Sequence, residues 1–186
     1  MSAASRIALV TGASRGIGRA CALALAQAGV HVIALARSQG GLEELDDEIR
    51  ALRPGEANPA TLVPANLADF AAIDRLGRAI YDRWGRLDAL VGNAGILGPL
   101  SPLHHVDPKR WDEALAINVT ANWRLIRALD PLLRASPHGR VAFLTSGAAH
   151  RADFRAYWGP YAVSKAALEA LARTYAAETA ATSNIR

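Results

Sequence analysis

Arg6-Ile7-Ala8-Leu9-Val10-Thr11-Gly12-Ala13-Ser14-Arg15-Gly16-Ile17-Gly18 is the stretch that decides the fold. Arg6–Val10 is an apolar run of strand length that ends in a Thr-Gly turn. Gly16–Ala28 follows as an Ala-rich helix, with Gly29 as its C-terminal stop. Gly12, Gly16 and Gly18 let the backbone turn tightly and come close to a bulky anion. The unpaired N–H groups of the helix N-terminus then favour a pyrophosphate. The spacing is G-x-x-x-G-x-G, not G-x-G-x-x-G, and a Gly-rich turn can be purely structural. Alone, the stretch is weak evidence for a ligand.

Outward from it, short apolar runs alternate with longer amphipathic ones. Val30–Ala36 is a second strand, and Leu42–Leu52 a helix stopped by Pro54. Thr61–Pro64 is a short third strand, and Asp69–Trp84 a helix with Asp69 as N-cap. Leu87–Val91 is the fourth strand. A long helix runs from Pro108 to Arg134, with Asp107 as N-cap and Pro108 at the first helical position. Val141–Thr145 is the fifth strand, and Tyr157–Ala180 the last helix. Such alternation predicts an α/β, doubly wound (Rossmann-type) parallel sheet with helices on both faces and first strands ordered 3-2-1-4-5. Residues 1–186 read as a single dinucleotide-binding domain.

Composition removes several classes. Of 186 residues, 51% are hydrophobic and 20% charged, as expected of a soluble globular chain. No apolar run reaches the roughly 18–20 residues of a membrane helix, and the N-terminus lacks the core of a signal peptide. The expectation is a cytoplasmic protein with no membrane partner. Cys21, the only cysteine, excludes an internal disulfide and reads as a small packed hydrophobe. The histidines show no ligand spacing, and His104-His105 reads as a solvated loop, so no metal is expected. The net charge is +4, with 19 Arg against 2 Lys, but the arginines are interleaved with acids. No basic run tracks a nucleic acid backbone.

Five further features carry chemistry. At the end of strand two, where NAD-binding folds place an acid, stands Ala36 followed by Arg37. Arg15 and Arg37 can embrace a 2′-phosphate, which selects NADP(H) over NAD(H), unless both are ordinary surface arginines. Tyr161-Ala162-Val163-Ser164-Lys165 places a phenol and a cation one helical turn apart on the same face. The cation favours the phenolate, so Tyr161 is suited to proton exchange with a substrate oxygen. On its own, Y-x-x-x-K is a common accidental match. Upstream, Ser146 in Thr145-Ser146-Gly147 lies at the strand edge where such sheets bind ligands, able to hold a carbonyl oxygen toward Tyr161. Asn93-Ala94-Gly95 occupies the same edge, where small residues let a cofactor lie close. Asn118 sits inside the long helix, where Asn is a poor fit, and suggests a functional kink.

Together and in this order, these residues resemble the short-chain dehydrogenase/reductase family over the whole chain. The resemblance implies that Tyr161 is the acid/base, Ser146 orients substrate, and Lys165 holds the nicotinamide ribose while lowering the Tyr161 pKa. Asn118 would support a water linking Lys165 to solvent. Gly12, Ser14, Arg15, Gly16 and Ile17 would line the pyrophosphate and adenosine end, joined by Arg37, Asn66, Leu67, Asn93, Ala94, Gly95, Tyr161 and Lys165. The family's N-N-A-G reads Gly92-Asn93-Ala94-Gly95 here, its Asp after strand three is Asn66, and the Ser146-to-Tyr161 stretch looks about two residues longer than usual. The chain stops at Arg186, where the family enters a sixth strand and a substrate-covering segment. The expectation is a longer parent protein whose C-terminal strands are missing from this chain.

The implied function is hydride transfer between NADP(H) and a small-molecule carbonyl or alcohol, by a homodimer or homotetramer. Leu97, Leu100, His150, Phe154, Tyr157 and Trp158 are candidates to border a pocket for a medium-sized neutral substrate. Two alternatives are a relative that binds cofactor without turnover, as a sensor or structural protein, and a lyase or epimerase on the same fold.

Overall fold

In the computed structural model, which describes residues 6–149 and 155–186, the apolar runs become five parallel strands. The order along the chain is β1 (Ile7–Thr11), α1 (Gly16–Gln27), β2 (His31–Ala36), α2 (Gln39–Leu52), β3 (Ala60–Pro64) and α3 (Phe70–Trp84). Then follow β4 (Ala89–Gly92), α4 (Pro108–Leu115), a π-helical turn (Ala116–Thr120), α5 (Ala121–Ala135), β5 (Arg140–Phe143) and α6 (Gly159–Ala180). The strands stand β3-β2-β1-β4-β5, the order expected. The parallel registers run Ile7 to His31, Val32 to Ala60, Ala8 to Ala89 and Ala89 to Arg140.

Every residue of β1 and β2 is buried, because helices cover both faces of the sheet. The two-residue strand period divides their side chains between two cores. Ile7, Leu9, Ile33 and Leu35 pack with Ile73 and Ile80 of α3 and Leu125, Leu129 and Leu133 of α5. On the other face Val10, Val32, Ala34 and Ala36 pack with Ala22 and Ala26 of α1 and Leu42, Leu45 and Ile49 of α2, with Cys21 partly buried against them. Gly77 lets α3 close on α5, since a Cβ there would lie 3.0 Å from the Ala128 Cβ. Asp88 ties the lower end of the sheet: its carboxylate accepts from the Ile7 N–H at 2.8 Å and the Ser136 hydroxyl at 2.6 Å. After α6 the backbone returns to the outer side of β5. Arg186 donates to the Gly139 carbonyl at 3.0 Å and accepts from the Val141 N–H at 2.9 Å.

Three helices differ from the sequence expectation, each for a local reason. α2 starts at Gln39, not Leu42, because Ser38 caps it by accepting from the Gly41 N–H at 3.3 Å. The long helix is divided by the π turn at Asn118, the kink that a buried Asn suggested. α6 starts at Gly159, not Tyr157, because Tyr157 sits at φ +69°, outside helical space. The strand ends shift by one or two residues, within the ordinary fraying of boundaries: β1 extends to Thr11, β4 to Gly92, and β5 stops at Phe143. Among the described residues no helix is long and apolar enough to cross a membrane.

Candidate active site

The strand order reverses direction between β1 and β4, and a crevice opens there at the carboxyl ends of the strands. It is joined by Thr11 and Asn93. The Thr11 hydroxyl donates to the Val91 carbonyl at 3.3 Å and accepts from the N–H groups of Asn93 and Ala94 at 3.0 and 3.1 Å. Asn93 returns the tie, its Nδ2 donating to the carbonyls of Thr11 at 2.9 Å and Gly12 at 3.2 Å. In sequence Thr11 opens the Gly-rich motif with no role assigned to its hydroxyl, and only its place opposite Asn93 gives it this one.

The loop after β1 needs glycine for two reasons. Gly12 has φ +66°, and a Cβ on it would lie 2.8 Å from Asn93 Nδ2 and 3.0 Å from Ala94 Cα. A Cβ on Gly18, in the first turn of α1, would collide with the Gly12 carbonyl. The result is a groove of backbone at a helix N-terminus, the shape that a pyrophosphate fits.

This groove is part of a cleft of about 640 Å³. Gly12, Ser14, Arg15, Gly16 and Ile17 line it from the β1–α1 connection, Arg37 from the end of β2, Asn66 and Leu67 from the segment after β3, and Asn93, Ala94 and Gly95 from the segment after β4. The structure thus brings together every residue named for the nucleotide apart from Tyr161 and Lys165. It adds Leu35, Ala36, Ser38, Gly41, Ala65, Ile96 and Ile117. Ser38 and Gly41 were hidden by the late start expected for α2. Arg15 and Arg37 are both exposed at the rim, and among the described residues neither forms an ion pair. Asn66 is exposed, and its Oδ1 accepts from the Ala68 N–H at 3.1 Å. Glycines that leave no room for a Cβ, in a cleft also lined by the exposed guanidiniums of Arg15 and Arg37, fit a dinucleotide.

Beside Gly95 stands a second cluster, built on Lys165, Tyr161 and Asn118. Lys165 is buried, and its Nζ donates to the Leu144 carbonyl at 2.6 Å. Burial pushes the ammonium below the usual lysine range. A Cβ on Gly95 would lie 3.4 Å from this Nζ and 3.1 Å from Asn118 Oδ1, so the nucleotide cleft and the cluster meet at that glycine. Lys165 Nζ stands 5.7 Å from the centre of the Tyr161 ring, which Trp158 meets edge-on at 5.8 Å.

Asn118 is fully buried and makes three side-chain bonds. Its Oδ1 accepts from the Ile96 N–H at 2.8 Å, and its Nδ2 donates to the Ile96 carbonyl at 2.8 Å and to Ser164 Oγ at 2.9 Å. Its main-chain carbonyl accepts from Asn122 Nδ2 at 2.9 Å. Asn122 and Ser164 were not singled out in sequence, and both are buried. Ser146 follows β5, and its Oγ accepts from the Ala148 N–H at 3.3 Å.

Of the residues named for a substrate pocket, Leu97, Leu100 and Tyr157 are exposed and Trp158 is half-buried. The Tyr157 carbonyl accepts from the Ser101 N–H at 3.1 Å, joining the β4–α4 connection to the approach to α6. His150 and Phe154 lie outside the described residues.

Comparison with known proteins gives this arrangement its relatives. The family model for short chain dehydrogenases matches residues 6–186. An uncharacterized oxidoreductase of Escherichia coli (strain K12), YciK, is 35% identical over 173 residues, covering 93% of this chain and 68% of its own. An uncharacterized NAD-dependent oxidoreductase of Mycobacterium tuberculosis (strain CDC 1551 / Oshkosh) is 34% identical over 184 residues, covering 93% of this chain and 66% of its own. The chain therefore spans about two thirds of the length of these curated relatives. A metagenomic short-chain oxidoreductase solved in complex with NADP superposes with a TM-score of 0.88 at 33% identity, covering 97% of this chain and 78% of its own. Fold, order of motifs and relatives agree, and the chain belongs to the short-chain dehydrogenase family.

Proposed function

We propose that the protein is an NADP(H)-dependent oxidoreductase acting on a small-molecule carbonyl or alcohol. The observation that carries this reading is the junction at Gly95, where the nucleotide cleft touches Lys165 and Asn118 on the way to Tyr161. Gly12, Ser14, Arg15, Gly16 and Ile17 would hold the pyrophosphate and adenosine end, with Asn66 and Leu67 at the base. Arg15 and Arg37 would take the 2′-phosphate. Asn93, Ala94 and Gly95 would let the nicotinamide half lie against the strand ends. Bound there, the nicotinamide supplies or accepts the hydride.

Tyr161 would move the proton at the substrate oxygen through its phenolic group. Ser146 would hold that oxygen by a hydrogen bond. Lys165, kept in place by the Leu144 carbonyl, would bind the ribose and present its positive charge to Tyr161. Asn118 would support the water that links Lys165 to solvent. The NADP-bound relative and the arginine pair favour NADP(H), although the Mycobacterium relative is described as NAD-dependent. The reading takes residues 1–186 as one dinucleotide-binding domain of a cytoplasmic homodimer or homotetramer.

The test is a panel of aldehydes and ketones, with the loss of NADPH absorbance as the readout and NADH alongside. Turnover with NADPH preferred supports the proposal. Tight NADPH binding without turnover on any member would point to a non-catalytic relative, and conversion without net redox change to a lyase or epimerase.

A further inference from the structure

We infer that Ser164 is a positioning residue for Tyr161, acting through a hydrogen-bond chain whose direction is fixed by the geometry. The inference rests on the reading of Tyr161 as acid/base.

The chain starts at the Ile96 N–H, which can only donate. The atom 2.8 Å from it must therefore be the oxygen of the Asn118 amide, so the orientation of that amide is determined. The two hydrogens of Nδ2 are then both in use, one on the Ile96 carbonyl and one on Ser164 Oγ. Ser164 accepts from Asn118, so its own proton is directed to the Tyr161 carbonyl at 2.8 Å. Asn118 and Ser164 are both fully buried, and each polar atom in this run has a partner, which makes a network rigid.

A serine that bonds back to a carbonyl three residues earlier is common in helices and needs no purpose. Ser164 differs in receiving a second bond from a residue 46 positions away in sequence. Together with the Asn118 bonds to Ile96, it joins three elements: the Asn93-Ala94-Gly95-Ile96 segment, the π turn and the start of α6. The next residue, Lys165, is pinned independently by the Leu144 carbonyl. Between them the two bonds set how the first turn of α6 stands against the cleft, and with it the placement of Tyr161. Ser164 itself touches neither the cleft nor the reacting atoms.

The experiment is Ser164→Ala, nearly isosteric, so that lost packing does not explain its effect. With NADPH and a carbonyl that the wild type reduces, kcat should fall by roughly tenfold or more, since small misplacements of a reacting group are costly. The KM for NADPH should stay within roughly twofold, because no cleft residue changes. The kcat–pH profile should move, because the relation of Tyr161 to Lys165 has changed. Independently of turnover, the Ile96 amide should exchange its hydrogen faster in the variant. Should Ser164→Ala not fold by circular dichroism, Ser164→Cys carries the same readouts, and its weaker hydrogen bonds should give a smaller loss. A variant with wild-type kcat and pH profile overturns the inference. If the wild type reduces no carbonyl, the acid/base reading has failed and the Ile96 exchange alone decides: faster exchange supports the chain, and unchanged exchange overturns it.

Discussion

Tyr161 stands in the first turn of α6 with Trp158 against its ring and Lys165 one turn further on. If it handles the proton, Tyr161→Phe removes at least about a hundredfold of turnover, the usual contribution of a general acid or base. The dissociation constant for NADPH, measured by fluorescence, should hardly change, and a Phe variant that keeps most of its activity would sink the mechanism. At the other end of the cleft, Ala36→Asp with Arg37→Ala places a carboxylate where a ribose 2′-hydroxyl would sit and removes a cation from the 2′-phosphate. The order of NADPH and NADH affinities should reverse in this variant, and equal affinities in the wild type would refute the arginine argument. Gly12 offers a harsher test. Gly12→Ala puts a Cβ against Asn93 and Ala94 at a positive φ, so cofactor binding should be largely lost while the far ends of the sheet keep their hydrogen exchange protection. The residues legible in the sequence were those whose type is scarce at such a place: glycines before a helix, an arginine where an acid is usual, an Asn inside a helix. The bonding roles of Thr11, Asn122 and Ser164 were not legible. Hydroxyls and amides are frequent, and their partners lie 46 or more residues away for Ser164 and for Thr11 with Asn93.

The π turn shows how an element can be built around one side chain. An uninterrupted helix from Pro108 would have kept regular backbone bonds, but Asn118 with both Ile96 groups and Asn122 on the Asn118 carbonyl holds the wider turn in place. Periodicity carries the helix itself, and the misfit of Asn118 reveals its interruption. The start of α2 was less legible, because Gly40 and Gly41 are poor helix formers and only the cap at Ser38 offsets them. The start of α6 was hidden by Tyr157, whose positive φ no sequence pattern announces. At the lower end of the sheet, β2 and α3 meet through His31, which lies 2.9 Å from the Thr61 hydroxyl and 5.3 Å from Trp84. Burial, with Arg83 and Arg53 nearby, lowers the His31 pKa, against a smaller opposite effect from Glu56. A lowered folded-state value means that the unfolded chain binds the proton more readily. The associated stability is present above the unfolded value of about 6.5 and is lost as pH falls through the folded one. The melting temperature should therefore drop on acidification below that value, and His31→Gln should drop less over the same interval. Parallel pH dependence in the two proteins would remove His31 from the account.

At the scale of the whole molecule the question is what covers α6. Its inner face, with Ala162, Ser164, Lys165, Leu168, Tyr175 and Thr179, is buried in the fold. Tyr175 helps fix the helix by donating to Asp130 Oδ1 at 2.7 Å, with a phenol that burial and the adjacent carboxylate push well above the usual range. The outer face presents Val163, Ala166, Ala170, Thr174 and Ala177, all exposed, at the spacing of one helical stripe. On α5, Trp123 is 44% exposed, with the Arg124 guanidinium 5.6 Å from its ring centre. Small side chains let two helices come close, and a two-fold contact allows the same stripe to serve both partners. The expected assembly therefore pairs α4–α5 and α6 with their symmetry mates. The alternative is that alanine fills exposed sites simply as a good helix former. Light scattering at micromolar concentration separates the two. A dimer or tetramer should form, and Ala170→Glu with Ala177→Arg should return it to monomer with the circular dichroism unchanged, because both positions face outward. A wild type that is monodisperse and monomeric would defeat the assembly outright. A variant that stays dimeric would move the contact to a different face of the molecule.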